Sequence, residues 1–147
     1  MYVIMLLCFV VSVVVACGWS MGSLFVVFDA PTFILMFLLI VPMFIASGLS
    51  KEVPKILKLL GNSKATFERS EYRKMLEAIS LLIKLNFCAG SFAAIIGFIG
   101  LLRGLSDIST LGPNIAIISI SIFYMIFICL ILFPAQAKIK IKLIESE

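Results

Sequence analysis

The chain has 147 residues, 63% of them apolar, with no histidine and a formal charge of +4. A soluble domain is about half apolar, and one this small cannot hide the surplus, which lipid can cover; an enzyme built for water is not the expectation. The twelve Lys and Arg avoid long stretches of chain, and all but Arg103 gather at 51–84 and 138–142, a pattern of membrane topology and not of a nucleic-acid surface.

Residues 2–22 form the first apolar run, long enough for a helix of about 20 residues to cross a bilayer. Val14-Val15-Ala16-Cys17 has the look of a lipoprotein cleavage site. Such a signal opens on positive charge, and here the first basic residue is Lys51, so a retained helix is expected. The second run covers 33–48, entered through Phe28-Asp29-Ala30-Pro31-Thr32, where Pro31 holds Ala30 out of the helical region. Pro42 inside the run removes a backbone donor and is expected to kink it.

Between Ser50 and Lys84 the chain turns polar. Ser50 is placed to cap a short amphipathic helix carrying Val53, Ile56, Leu57 and Leu60, stopped by Gly61-Asn62. A further helix starting near Ser63 or Thr66 pairs Glu68 with Tyr72 and Glu77 with Leu81 at i, i+4. It runs through Met75, Leu76, Ile79 and Leu82 straight into the third apolar run, 85–102. After a short connection, 103–112, a fourth run covers 113–133, followed by Lys138, Lys140 and Lys142.

The expected fold is thus an all-α integral membrane protein with four transmembrane helices, the third and fourth extending into the cytoplasm. It divides into 1–49 (spans 1 and 2), 50–84 (basic cytoplasmic loop), 85–134 (spans 3 and 4) and 135–147 (cytoplasmic tail). The Lys/Arg bias puts the loop, the tail and both termini in the cytoplasm.

The chemistry is sparse. The runs themselves hold no Asp, Glu, Lys or Arg, with Asp29 expected at the outer mouth and Lys84 at the inner one. Ionisable groups at depth mark ion relays, so the chain alone carries no ion carrier. There is no nucleotide loop, catalytic dyad or cofactor motif. Cys8, Cys17, Cys88 and Cys129 lack metal-ligand spacing and read as small packing residues. Two stripes stand out. Gly90, Ala93, Ala94, Gly97 and Gly100 line the third run, and small residues let helices approach closely. Asn114, Ser119, Ser121 and Tyr124 line the fourth. Serines in membrane helices also bond their own backbone, so both stripes have a plain packing reading beside that of an uncharged ion path.

The run Leu111-Gly112-Pro113-Asn114-Ile115-Ala116, then Ser119, Ser121, Tyr124 and Phe133-Pro134, resembles the last transmembrane helix of MotA-type flagellar stator subunits. Gly100-Leu101-Leu102 with Leu105, Ser106 and Asp107 resembles the end of that family's third helix, and Phe28–Thr32 the entry to its second. The wider group is the MotA/TolQ/ExbB proton-channel family, and two helices ahead of the loop favour the MotA branch.

The resemblance implies a homo-oligomer, a pentamer, around helices of a MotB/TolR/ExbD-like single-span partner whose Asp carries the ion, in a bacterial inner membrane. It implies an ion path at Gly90, Ser91, Gly97, Ser119, Ser121 and Tyr124. Gly90 stands where the family bends its helix at a proline, Gly97 where it has a hydroxyl, and Ile122 and Met125 replace a hydroxyl and a glycine. The loop is about a third of the family's usual length. Arg69, Glu71, Arg73 and Lys74 are its candidate contact surface for a rotor or other cytoplasmic effector. The alternative is a non-conducting membrane scaffold; a self-sufficient transporter would need its own charge at depth.

Overall fold

The computed structural model describes residues 2–21, 29–62, 65–105 and 107–146. Phe28, a helix start at Ser63, and Ser106 lie outside them, as does the side chain of Cys17. The described residues are all-helical: α1 (Tyr2–Met21), α2 (Ala30–Ala46), a 3-10 turn (Leu49–Glu52), α3 (Val53–Gly61), α4 (Arg69–Arg103) and α5 (Ile108–Glu145).

The frame is the α4/α5 hairpin. Its helices have 35 and 38 residues, about 52 and 57 Å at 1.5 Å per residue. That exceeds the roughly 30 Å of a hydrocarbon core. α4 starts at Arg69, later than Ser63 or Thr66, because Glu68 and Glu71 close a reciprocal capping box there. α5 starts at Ile108, earlier than 113: Asp107 caps it by accepting from Ser109 N at 3.0 Å. Pro113 therefore lies inside the helix. The donor it denies belongs to the carbonyl of exposed Ser109, which water can serve.

The hairpin's register is set by small residues on α4. A Cβ at Gly97 would stand 2.9 Å from Ile118 Cγ1, and one at Gly90 would stand 2.7 Å from Met125 Cβ. Lower down, the Asn86 amide donates to the Met125 carbonyl at 2.9 Å, and Gln136 donates to Ser80 Oγ at 2.8 Å.

The side chains of the hairpin change character along its length. Toward the α4–α5 turn, large apolar side chains point outward: Phe92, Ile95, Phe98 and Ile99 on α4, Ile115, Ile122 and Ile126 on α5. A protein bathed in water does not expose so continuous an apolar surface. At the charged end the order reverses. Leu59, Met75, Ala78, Ile79 and Ile139 are at most 1% exposed and form one core with Phe44, Ile56, Tyr72 and Ala135.

α2 lies along α4 and then breaks. Gly48 takes a left-handed φ of +74°, a conformation glycine adopts without strain, and the chain turns by 95° into the 3-10 turn and α3. Ser50 falls inside that turn, so Glu52 occupies the N-cap position of α3, without a side-chain cap bond. α3 buries Ile56 and Leu59 and leaves Leu57 outside, one step round from the expected face. Pro42 sits within an unbroken α2, and the sharp bend comes at Ala46–Leu49 instead.

Charge ties the base together. Lys55 bridges Glu52 and Glu71, each at 3.0 Å, and Lys138 Nζ donates to the Leu59 and Leu60 carbonyls, capping the C-terminal end of α3. Lys55, and then the Glu68 backbone N–H, hold the Glu71 carboxyl below its ordinary value of 4.5. A depressed carboxyl stabilises the fold above its unfolded value and ceases to do so as pH falls through the folded one. Lys55→Met is therefore expected to lower the unfolding temperature near pH 7, with the gap closing below about pH 4. A gap that persists in acid would remove the bridge as its cause.

Candidate functional site

The polar positions of the fourth run meet the start of α2. Tyr124 is 9% exposed and packs with Met36, Ala89 and Ala93. Its ring stands edge-on to Phe33, centroids 6.2 Å apart, and its hydroxyl accepts the Asp29 backbone N–H at 3.0 Å. Asp29 is the N-cap of α2: its Oδ2 accepts from Thr32 N at 3.0 Å, and Thr32 is buried.

Tyr124 lies seventeen residues beyond Asp107 and fourteen before Lys138, so about 25 Å and about 21 Å of uncharged helix separate it from either. On α4 the residues packed with it are Ala89 and Ala93, five and nine positions beyond Lys84. Asp29 meets Tyr124 through its backbone N–H and is half-buried. α2, at 17 residues, is shorter than either helix of the hairpin.

The other singled-out residues divide. Gly90 and Gly97 face α5 within this same chain. Ser121 is fully buried and donates to the Ile117 carbonyl at 2.7 Å. Ser119 points outward and donates to the Ile115 carbonyl at 2.9 Å. Ser91 is half-buried, its hydroxyl 4.0 Å from Met125 Sδ. So Ser121 and Tyr124 turn inward, while Ser119 lies on the open face of α5. At the charged end, Arg69, Arg73 and Lys74 are exposed and line a shallow depression with Ser70 and Glu77, whereas Glu71 is engaged by Lys55.

Sequence reasoning passed over Asn86. It is 1% exposed, donates to the Met125 carbonyl and, at 3.3 Å, to Cys129 Sγ, and its Oδ1 has no donor among the described residues. A lone amide two residues inside Lys84 was the available signal. Cys129 thus has a polar neighbour, and Cys8 and Cys88 are exposed, not buried packing residues. Among the described residues no three Cys, Asp or Glu side chains converge on a metal-sized site.

The class this geometry defines is a membrane-type helical protein: among the described residues, all in helices and their connections, two helices are long and apolar enough to cross a membrane, or three with the bent α2–α3 pair taken as one span. No family model, curated protein or solved structure matches it.

Proposed function

We propose that the chain is a stator-like subunit of an ion-motive-force-driven motor, crossing a bacterial inner membrane four times through α1, α2, α4 and α5. Its charged base and both termini face the cytoplasm, as the gathering of Lys and Arg requires. Several copies, five by the resemblance, surround the membrane helices of a single-span MotB-like partner whose Asp carries the ion.

The observation that carries this reading is the continuity of α4 and α5. Each runs unbroken from the apolar stretch into the packed, charged core. A displacement imposed at the level of Ser121 and Tyr124 reaches the Arg69, Arg73 and Lys74 surface through a rigid helix pair. With Ser121 and Tyr124 turned inward, this reading has the partner's helix contact the open α5 face that carries Ser119. The two inner residues then serve as the backing of that face.

Native mass spectrometry of the complex purified with its genomic neighbour tests the reading. A ring of this chain with a single-span partner bearing one acid in its span is expected. A complex of this chain alone would sink it.

A scaffold without ion flow is the second reading. It is favoured by the hydroxyls of Ser119 and Ser121 bonding their own carbonyls and by Gly90 and Gly97 serving the hairpin. Ser121→Ala with Tyr124→Phe separates the two. Ion-driven turnover in proteoliposomes slows or stops for a motor, whereas a scaffold keeps its assembly and shows no turnover to lose.

A further inference from the structure

We propose that the outward face of α3 is a lipid-binding surface that rests on an anionic bilayer leaflet. This goes beyond the reading above: it requires α2 and the hairpin to lie in a bilayer, and neither a motor nor a partner chain.

The face is built from the 3-10 turn and α3 together. Lys51, Pro54, Leu57, Lys58 and Gly61 are exposed and recur at three- and four-residue spacing, so they lie on one side. The opposite side, Ile56 and Leu59, belongs to the packed core. That fixes the rotation of the helix and leaves Leu57 outside, 64% exposed. The acid of this segment is withdrawn from the outer face: Glu52 is buried, and Lys55 engages it at 3.0 Å. The face therefore presents the ammonium groups of Lys51 and Lys58 around an apolar side chain, with no carboxylate among its own residues.

Its level follows from the chain. α2 carries no charge from Ala30 to Ala46, and the first basic residue, Lys51, comes five positions later. Between them the chain turns by 95° at Gly48, so α3 runs across the end of an apolar helix and not along it. It also touches α1. A basic amphipathic helix in this attitude is held to a membrane by apolar side chains that enter the headgroup boundary and by attraction to anionic lipid. Lysine stems extend along apolar surface to reach such headgroups. Each lysine near the surface strengthens the attraction about 5-fold. An acidic soluble partner would account for the lysines, but not for Leu57 set beside the end of an apolar helix.

The test places an indole on the face by Leu57→Trp in a Trp19→Phe background, Trp19 being the chain's single tryptophan. The full chain is reconstituted in vesicles of phosphatidylcholine and phosphatidylglycerol. Bromine on the acyl chains of one lipid or the other quenches an indole that touches that lipid. Quenching by both is expected, with brominated phosphatidylglycerol bound at least ~5-fold more tightly than brominated phosphatidylcholine. In Lys51→Gln/Lys58→Gln that preference falls to about one. Ile122→Trp in the same background, on the open apolar surface of the hairpin, shows no preference. The α3 variants keep the helical signal of the parent, because Leu57 and both lysines lie outside the core. Absence of quenching by either lipid, in a protein of intact helicity, would place the face in water and overturn the proposal. Equal quenching by the two lipids removes the anionic assignment, and so does a preference that survives the loss of both lysines. A complex without a partner chain would end the motor reading and leave the quenching ratio as it is.

Discussion

Replacing Ile139 by Ala is expected to destabilise the protein by about 3 kcal/mol, within the 2–5 kcal/mol typical of emptying a filled aliphatic site. Ile139 is 0% exposed and sits where α5 meets Met75 and Ile79 of α4 and Leu59 of α3. Its removal leaves a cavity bounded by three helices, none of which can collapse inward without dragging the salt-bridged base. The control is Ile122→Ala on the same helix. Ile122 is 41% exposed, and truncation there should cost less than about 1 kcal/mol, because the missing methyl groups faced surroundings that lipid or detergent refills. Thermal unfolding of both variants in the same detergent decides the matter. Equal losses would mean that the charged end has no core of its own.

Gly90→Leu is expected to separate the hairpin, with a loss of about 3 kcal/mol or more, at or above the usual range for overpacking. Even a bare Cβ at Gly90 would stand 2.7 Å from Met125 Cβ, and the clash is with the root of that side chain, not its flexible end. The helices must therefore move apart, which breaks the Asn86 amide's bond to the Met125 carbonyl one turn below and strands both buried polar groups. Gly112→Leu is the matched control, since nothing lies within 4 Å of a Cβ there. A disulfide engineered across the hairpin and scored for its rate of closure reads the spacing directly. Unchanged closure in Gly90→Leu would show that the glycine is not what sets the approach.

Both predictions depend on features of unequal visibility in the sequence. The long α4 was legible because apolar positions from Met75 to Leu82 run at helical spacing into an uncharged stretch. The small-residue stripe likewise announced a close helix contact, and its contact turns out to be α5 of the same chain. Local propensity could not show what the start of α2 packs against. Asp29-Ala30-Pro31-Thr32 is a sound helix start anywhere in a protein, and only the long-range bond to Tyr124, 95 positions away, shows where it meets α5. The same limit explains the α3 face. Leu57 and Leu59 are equivalent as residues, and the 95° turn at Gly48 decides which of them meets Met75. Ser121 and Tyr124 were found by their polarity in an apolar run, but polarity alone does not say which way a helix is rotated.

The packed core at the charged end joins Phe44 to Ile139, and this has a bearing on biosynthesis. The two residues are separated by 95 positions. A ribosome adding about 5–20 residues per second makes Phe44 some 5–20 s before its last partner exists. Tyr72, Met75, Ala78 and Ile79 of α4 emerge within that interval, and Ala135 and Ile139 of α5 come last. The core at the charged end thus closes in stages and is complete only once α5 has been made.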